Sequence, residues 1–488
     1  MKTEKPNLLF IYTDQQRFDT LACYGNSEIE MPNLNKLADK SCVFERGYVT
    51  QPVCTPSRSS IVSGLYPHTT GCRENNIPLR PETPCLPEMM QDSDYTTAHY
   101  GKWHLGDEIF AQHGFDEWRS IDDMYRKYYS DGKDRDERSG YYHFLIENGF
   151  TPDAITHFDR GQVSQKIPEE FSKPAYLARE SIDFIERNRE NPFVLYVNFF
   201  EPHTPYYSPR DEQYSNDKMS LPDNFENPPD ESNPLKSRLL RDVYYNRGKN
   251  GELKTKEDWQ DHKRRYWGLC SLVDTHAGKI LDALEKNNLT DNTIIVFTSD
   301  HGDMMGEHQL IMKCVMYDGA ARVPMLIHLP GQSEQKKIKG SVSQIDLIPT
   351  ILDMMNQEIP EHLEGKSLLD LMEKEDNATA DRDVFIEWNG PNSSLTSGDK
   401  VGAYEYIDSK PYNVSQQELI DAANASIRTV VTPDGWKFNW SSRGEHELFN
   451  LNNDSEENIN LVKEEQYQDL IASLLKKIRN WQAKTNDL

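Results

Sequence analysis

The chain has 488 residues, of which 36% are hydrophobic and 27% charged, and it contains 18 Phe, 24 Tyr and 8 Trp. This aromatic content is too high for a disordered chain, so we expect a folded protein of one large domain or two to three smaller ones. The formal net charge of −26 would repel nucleic acid and anionic membrane surfaces at long range. Nucleic acid is therefore not expected as a partner, and an anionic substrate would require basic side chains concentrated in a pocket.

The first strong pattern along the chain is a set of three short apolar runs, each followed by a polar side chain that could take part in chemistry. The runs and the polar residues that follow them are 8–12 with Asp14, 193–200 with His203, and 293–298 with Asp300. Strands buried on both faces of an α/β sheet have this composition, and ligands gather at their carboxyl ends. Helical patterns lie between the runs, at 31–38, after Cys54, at 178–187 and at 259–285. The alternation predicts an α/β fold with a large, mainly parallel or mixed sheet sandwiched by helices.

Two segments, 119–175 and 204–255, interrupt this alternation. They are rich in charge, Tyr, Pro and Asn, and this composition favours long insertions or loops, which often shape the mouth of a site on an α/β scaffold.

The pattern changes again after about residue 365. Short strand-like runs at 383–388, 426–432 and 436–440, with turn residues between the last two, predict a small antiparallel sheet. Apolar positions at helical spacing within 465–484 predict an amphipathic terminal helix. We therefore divide the chain into a catalytic α/β domain at 1–365 and a smaller C-terminal α+β subdomain at 366–488.

The seven cysteines are widely spaced and form no CxxC pair. This pattern indicates neither a zinc site nor a dense disulfide framework, although one or two buried disulfides are compatible with it. No apolar run reaches the length of a membrane span, and no signal-peptide pattern precedes the first predicted strand. We expect a periplasmic or secreted protein if a leader has been removed, and otherwise a cytoplasmic one.

The run Cys54-Thr55-Pro56-Ser57-Arg58 precedes a predicted helix and places the cysteine at its N-terminal edge. Free N–H groups and the helix dipole favour negative charge there, so the position suits an anionic ligand. The alternative is a buried structural cysteine, the usual environment of a free Cys.

Further candidates follow other predicted strands. In Gly101-Lys102-Trp103-His104, an ammonium could bind an anionic oxygen while an imidazole lies beside a nucleophile. The pairs Asp14-Gln15 and Asp300-His301 could surround one divalent cation with two carboxylates, an amide oxygen and an imidazole. Hard oxygen donors favour calcium or magnesium over zinc. Taken singly, these residues could instead be a solvated lysine, a structural histidine and helix-capping acids.

The pattern C-x-P-S-R at 54–58 resembles the signature of the sulfatase family in the alkaline-phosphatase-like superfamily. Four other segments resemble motifs of that family: 101–104, 202–205, 306–308 leading to Lys313, and 447–451 with 457–461. The chain departs from the common family pattern by having Ser63 for Thr, Gln15 for Asp and His301 for Asn. The pair Asp300-His301 resembles the iduronate-sulfatase branch and, together with Asp14-Gln15, the phosphonate monoester hydrolases.

The resemblance implies a set of cofactors and roles. Cys54 would be oxidised to formylglycine by a formylglycine-generating maturation enzyme. Calcium, in preference to magnesium or manganese, would be bound by Asp14, Gln15, Asp300, His301 and residue 54. The formylglycine hydrate would attack sulfur. The other roles implied are orientation of the nucleophile by Arg58, sulfate binding by Lys102 and Lys313, protonation of the leaving alcohol by His203, and removal of a proton from the hydrate by His104.

The function predicted in this way is hydrolysis of a sulfate ester, with a sulfated carbohydrate as the substrate partner because the long polar insertions suit a saccharide. One alternative is a phosphonate or phosphate diester hydrolase of the same superfamily, against which Lys102 and His104 argue because the phosphonate hydrolases differ at the positions of the GKWH run. The second alternative is a non-catalytic saccharide-binding protein. The sequence identifies neither the sugar, nor the sulfate position, nor the oligomeric state.

Overall fold

A computed structural model describes residues 5–154, 157–247, 253–374, 376–390 and 408–487. The strands within these ranges are β1 (Asn7–Asp14), β2 (Cys42–Tyr48), β3 (Thr96–Gly101), β4 (Glu117–Arg119), β5 (Phe193–Pro202), β6 (Thr293–Ser299), β7 (Arg322–Val323), β8 (Met325–His328), β9 (Lys336–Ser343), β10 (Ala378–Ala380), β11 (Val384–Asn389), β12 (Ser426–Val431), β13 (Trp436–Ser441) and β14 (Glu447–Asn450). The helices are α1 (Pro32–Ala38), α2 (Cys54–Ser63), α3 (Pro67–Thr70), α4 (Leu86–Met89), α5 (Gly140–Glu147), α6 (Arg160–Lys166), α7 (Lys173–Arg187), α8 (Leu235–Arg247), α9 (Lys256–Lys286), α10 (Asp318–Ala321), α11 (Leu347–Met354), α12 (Leu369–Glu373), α13 (Gln416–Ala423) and α14 (Gln468–Thr485).

The main sheet is ten-stranded and mixed, in the order β10-β9-β2-β8-β6-β1-β5-β3-β4, with β7 paired to β2. Its centre consists of the parallel strands β6, β1, β5 and β3. Every residue of β1, β5 and β6 is buried, which is why these strands are continuous apolar runs in the sequence. The predicted α/β class is confirmed, and the antiparallel pairing of β6 with β8 makes the sheet mixed.

Helices cover both faces of this sheet. Alternate residues of β1 point to opposite sides, so Leu9 and Ile11 join a core that contains residues of α1, α7 and α9. Leu8 and Phe10 join a second core with residues of α2, α11 and α12. The carboxyl ends of the central strands are therefore held between two packed helical layers.

The two predicted insertions are more regular than their composition indicated. Segment 119–175 contains α5 and α6, and segment 204–255 contains α8. The expectation of loops was wrong for these stretches because each helix buries only a few apolar side chains, such as Phe144 and Leu145 of α5 and Leu239 and Leu240 of α8. Such a narrow stripe is easily hidden among charged and polar residues.

The C-terminal region contains the predicted antiparallel sheet, ordered β11-β12-β13-β14. Val430, Phe438 and Leu448 on one face of this sheet pack against Leu474 and Ile478 of α14, so the amphipathic terminal helix is confirmed. The division at residue 365 stays a prediction. All seven cysteines are free thiols, and none of the helices within the described ranges is long and apolar enough to cross a membrane.

Candidate active site

The candidate site lies at the carboxyl ends of the four central parallel strands. Asp14 ends β1, Asp300 follows β6, Lys102 follows β3, and His203 comes directly after β5. Because these strands are neighbours in the order β6-β1-β5-β3, residues from four distant parts of the chain meet at one edge of the sheet.

Gly101 allows the close approach of β3 to β5 at this edge. Its φ of +116° is in the left-handed region, and a Cβ atom at this position would lie 2.0 Å from the carbonyl oxygen of Asn198. The next residue, Lys102, donates its backbone N–H to the same oxygen at 3.1 Å. Only glycine fits both the backbone conformation and the space, so residue 101 sets where the Lys102 side chain begins.

Cys54 is the first residue of α2, as the sequence predicted. All ten residues of this helix are buried, so the cysteine lies inside the protein at a helix N-terminus. Its Sγ lies 3.2 Å from Nε2 of His301 and 3.8 Å from Oδ1 of Asp14. The nucleophile candidate and two of the predicted metal ligands are therefore in contact.

One ligand atom from each of Asp14, Cys54, Asp300 and His301 lies within 4.8 Å of the others. Nδ1 of His301 is 2.9 Å from the carbonyl oxygen of Gly302 and donates to it, so Nε2 is the ring nitrogen that faces the cluster. Oδ1 of Asp14 and Oδ1 of Asp300 lie 3.7 Å and 3.6 Å from this Nε2. Two carboxylate oxygens and an oriented imidazole around one point fit a divalent cation.

The second oxygens of both carboxylates are engaged by cations. Arg58 donates from Nε to Oδ2 of Asp300 at 2.8 Å and from Nη2 to Oδ2 of Asp14 at 3.1 Å. Lys102 also donates to Oδ2 of Asp14. The remaining contacts of the Arg58 guanidinium are to the Lys102 carbonyl and the Tyr12 hydroxyl. Arg58 therefore positions the carboxylates, and the predicted contact with the nucleophile is not among its hydrogen bonds within the described ranges.

Gln15 has a fixed orientation in the site. Its Nε2 donates to Oδ2 of Asp303 at 2.6 Å and to the hydroxyl of Tyr206, and its Oε1 accepts from Nζ of Lys313. The structure thus places Gln15 beside the predicted metal ligands and pairs it with the predicted sulfate-binding lysine. Metal coordination by Gln15 stays a prediction.

His104 lies on the other side of the pocket. Its Nε2 is 3.0 Å from Oδ1 of Asn76, and its ring packs at 4.3 Å from that of Tyr125. Its Nδ1 is buried and has no hydrogen-bond partner in the part of the chain that the structure describes. Glu108 accepts the backbone N–H groups of Trp103 and His104 at 2.9 Å and 2.6 Å. Burial and the charge of Lys102 hold the pKa of His104 well below its usual 6.5, so the imidazole is neutral and can accept a proton.

His203 lines a second part of the pocket. Its Nδ1 is 2.7 Å from the carbonyl oxygen of Thr204, and its ring packs on Phe200 with centroids 4.9 Å apart. Burial and Lys313 hold its pKa well below 6.5. A bound anion would oppose the effect of Lys313 and favour the protonated form, which the predicted role of His203 as an acid requires.

The electrostatics of the cluster favour an anion. Burial and the Asp14 carboxylate act to raise the pKa of the Cys54 thiol, but Lys313, Lys102 and His301 outweigh them and the pKa lies below 9.0. Cationic side chains are therefore concentrated at this point of a protein whose formal net charge is −26, which an anionic substrate requires.

Several residues at the site carry strained backbone. Gln15, His104, Met312 and Cys314 all have positive φ, at 72°, 60°, 67° and 80°. Such conformations cost about 1–3 kcal/mol each for residues other than glycine and persist where the surrounding structure imposes them. They aim the side chains of Gln15 and His104 and flank Lys313, so part of the strain in the backbone lies at or beside residues with predicted chemical roles.

Sequence reasoning did not identify the supporting residues Asn76, Glu108, Tyr125, Tyr206 and Asp303. Tyr125 lies in the first polar insertion, and the expectation that this segment shapes the site pointed towards it. Glu108 carried no motif, but a buried carboxyl with its pKa raised to about 7 by burial is recognisable once the fold is known.

Comparisons with known proteins agree with this geometry. The family described as Sulfatase matches residues 6–357, and the one described as N-sulphoglucosamine sulphohydrolase, C-terminal, matches residues 306–425. An arylsulfatase of Clostridium perfringens is 29% identical over 505 residues, covering 97% of this chain and 93% of the relative. The ulvan-active sulfatase of Formosa agariphila is 29% identical over 392 residues, covering 78% and 68%.

Two solved structures have the same fold. The phosphonate monoester hydrolase of Silicibacter pomeroyi aligns with a TM-score of 0.79 at 22% identity, covering 99% of this chain and 96% of the other. A protein solved in complex with its substrate D-glucosamine-2-N,6-O-disulfate aligns with a TM-score of 0.74 at 22% identity, covering 99% and 98%. Because the Sulfatase match spans most of the chain, the protein belongs to the sulfatase family and is a sulfuric ester hydrolase.

Proposed function

We propose that this sulfatase releases sulfate from a sulfated saccharide, with a formylglycine made from Cys54 as nucleophile and calcium as the bound metal. The observation that supports the nucleophile most directly is the position of Cys54 at the start of α2, 3.2 Å from His301 and among the metal-binding candidates. A saccharide is supported by the ulvan-active relative and by the glucosamine disulfate bound to a protein of the same fold.

The conversion of Cys54 requires a two-electron oxidation of its β carbon. The C–S bond breaks, sulfur leaves as hydrogen sulfide, water supplies the aldehyde oxygen, and two electrons and two protons pass to an oxidant such as molecular oxygen used by the maturation enzyme. Hydration of the aldehyde gives two hydroxyl groups on one carbon. One can attack sulfur, and the other permits the resulting sulfate ester to collapse to sulfate and aldehyde.

The residues fit this sequence of steps. A bound divalent cation, held by Asp14, Asp300, His301, residue 54 and Gln15, would lower the pKa of the attacking hydroxyl, so that this group loses its proton to water, and would polarise the sulfate. Lys102 and Lys313 neutralise charge on the sulfuryl oxygens, and His203 gives its proton to the oxygen of the departing alcohol. His104 then takes the proton of the second hydroxyl as the C–O bond to sulfate breaks. Arg58 keeps the two carboxylates in place throughout.

The alternative of a phosphonate or phosphate diester hydrolase gains little from the structural likeness, because 22% identity to a phosphonate monoester hydrolase concerns the fold alone. Side-by-side turnover of an aryl sulfate and an aryl phosphonate ester decides between the two chemistries. We expect a clear preference for the sulfate ester.

The test of the proposed nucleophile combines mass spectrometry with substitution. In active protein, the mass of residue 54 should be that of formylglycine rather than that of cysteine. Cys54→Ala should lower turnover of 4-nitrophenyl sulfate by about a thousandfold or more while calcium still binds. Cys42→Ala, at a buried cysteine of β2, is the matched control and should keep the activity. Full activity in protein whose residue 54 is an unmodified thiol would refute the proposal.

A further inference from the structure

A cleft lies beside His203 and contains two cationic side chains that the steps above do not use. Its polar lining includes Arg160 at the start of α6, Lys173 at the start of α7, and Glu201 at the end of β5. We call it the Arg160–Lys173 cleft. Helix α6 belongs to the first polar insertion, so this insertion contributes a charged group beside the catalytic residues.

The Arg160 guanidinium is held in place by hydrogen bonds from only some of its N–H groups. Its Nε and Nη2 donate to the same oxygen of Asp122, Oδ2, at 3.0 Å and 2.7 Å, and Nη2 also reaches the Tyr125 hydroxyl at 3.0 Å. The guanidinium lies 4.7 Å from the centre of the Phe200 ring. Within the described ranges, Nη1 has no acceptor, so one edge of a firmly held guanidinium is available to a ligand.

Lys173 is more deeply placed, with a side chain 4% exposed. Its Nζ lies 4.4 Å from the centre of the Phe200 ring and 3.8 Å from Oδ2 of Asp122. That oxygen already accepts two hydrogen bonds from Arg160, so it does not neutralise both cations. Among the residues that the structure describes, Lys173 has no acceptor at hydrogen-bond distance, so its ammonium can donate to an anionic ligand.

A third polar group in the cleft is the carboxyl of Glu201. Its Oε2 is buried and has no hydrogen-bond partner among the described residues, and the residue is only 8% exposed. Burial raises the pKa of Glu201 to about 7, so near neutral pH a large share of these carboxyl groups is protonated and can donate a hydrogen bond. Two cations and a protonated carboxyl together present donors to one space.

We propose that the Arg160–Lys173 cleft is a second anion subsite, which binds a carboxylate or a second sulfate of the saccharide whose sulfate ester is hydrolysed. The inference rests on the proposed function, because it assigns a further charged group to that substrate. Both ligand groups offer the planar or tripodal oxygens that a guanidinium and an ammonium bind well. The same cleft would repel a sulfate ester whose alcohol part carries a quaternary ammonium group.

The cleft borders the predicted active site at one catalytic candidate and at one aromatic neighbour of its cations. His203 lines it directly. The Tyr125 ring lies 5.4 Å from the guanidinium carbon of Arg160 and 4.3 Å from the ring of His104, and Nζ of Lys102 lies 5.9 Å from it. The Tyr125 ring therefore contacts Arg160 as well as His104, which places the charged end of the cleft next to the residues predicted to receive the scissile sulfate.

The experiment compares saccharides that differ in the number of anionic groups, as competitors of 4-nitrophenyl sulfate hydrolysis by the mature, metal-loaded enzyme. The probes are glucosamine 6-sulfate, glucosamine 2-N,6-O-disulfate and glucuronic acid 2-sulfate. We expect at least one two-anion sugar to inhibit the enzyme about tenfold or more strongly than glucosamine 6-sulfate. The variants Arg160→Gln and Lys173→Gln should remove this difference and change 4-nitrophenyl sulfate turnover less than threefold. Stronger inhibition by the disulfate indicates a sulfate subsite, and stronger inhibition by the uronate indicates a carboxylate subsite.

Lys166→Gln provides the matched control, because Lys166 is on α6 with Arg160 but its side chain is 62% exposed and paired with Asp153. It should retain the preference for two anions. The subsite proposal would be overturned if all three sugars inhibited the unaltered enzyme equally, or if none of them inhibited it. An equal loss of aryl sulfate turnover in both cleft variants would also overturn it. Failure of the proposed function is recognised separately, because 4-nitrophenyl sulfate would then not be hydrolysed by the unaltered enzyme.

Discussion

Nε of Arg58 donates a 2.8 Å hydrogen bond to Oδ2 of Asp300, and both side chains are completely buried. The same guanidinium reaches Oδ2 of Asp14, so one planar cation holds both carboxylates of the cluster that could bind a metal. Because the Oδ2 atoms are occupied in this way, the Oδ1 atoms remain near Nε2 of His301. This arrangement makes Arg58 a positioning residue for the metal ligands.

Arg58→Lys keeps the charge but loses the planar fork that bridges the two carboxylates. We expect the affinity for calcium to fall about 10–100-fold, as is typical when a group that orients metal ligands is altered. Calorimetric titration of metal-free protein measures this without reference to activity. Arg179→Lys, at a side chain of α7 that is largely exposed, should leave the affinity unchanged. An unaltered calcium affinity in the Arg58 variant would exclude the positioning role.

Removal of the metal should affect both activity and stability. After treatment with a chelator, we expect turnover of 4-nitrophenyl sulfate to fall to background, and calcium to restore it better than magnesium because the ligands form an irregular, oxygen-rich set. A free calcium concentration of about 100 times the dissociation constant should add about 2.7 kcal/mol to the free energy of unfolding. Urea unfolding with and without calcium measures this difference. Undiminished activity in protein shown to be free of metal would contradict the prediction.

Gly101→Ala tests the close approach of β3 and β5. A Cβ atom 2.0 Å from the Asn198 carbonyl forces the strands apart, and we expect a loss of about 3 kcal/mol or more in the free energy of unfolding. Gly132→Ala separates this clash from backbone strain, because Gly132 has a φ of +86° with no atom near the added Cβ. Its cost should be about 1 kcal/mol. Equal losses in the two variants would show that the contact with Asn198 is unimportant.

The buried His99 should make the protein sensitive to acid. Its Nε2 accepts a hydrogen bond from Nδ2 of Asn198, and within the described ranges its buried Nδ1 has no partner, so the ring is held neutral. Burial, with a smaller effect of Arg58, lowers the pKa of His99 to about 3. An unfolded histidine titrates near 6.5, so the stability from keeping this ring neutral is present above pH 6.5 and is lost as the pH falls towards 3.

From pH 7 to pH 5 this group alone should lower the free energy of unfolding by about 2 kcal/mol. Urea unfolding at the two pH values, compared with the same measurement on His99→Gln, isolates the contribution. The variant should lose less stability over this interval. His143→Gln, at a side chain that is 55% exposed, should behave like the unaltered protein. The same acid loss in the His99 variant would show that other groups cause it.

The positions of the candidate site residues were largely predictable. Asp14, Lys102, His203 and Asp300 each lie at or just after the end of a strand, and the apolar runs of three of these strands were evident because both faces are buried. The helix that starts at Cys54 was likewise indicated by its local pattern. The roles of individual residues in the insertions were not predictable. Arg160 and Lys173 lie on different helices, and only the structure shows that both lie beside Asp122 and Phe200.

By itself, the sequence determined which reactive side chains exist and on which local elements they lie, since strand and helix patterns depend on neighbours a few positions apart. Only the tertiary structure decided that β6, β1, β5 and β3 lie side by side, which brings Gln15 into contact with Asp300, 285 positions away. The tertiary structure also decided which charged groups are neighbours. Arg58 donates hydrogen bonds to two carboxylates, whereas Lys173 has no hydrogen-bond acceptor in the described structure. Such pairings depend on how buried faces pack over long separations, and no local pattern records them.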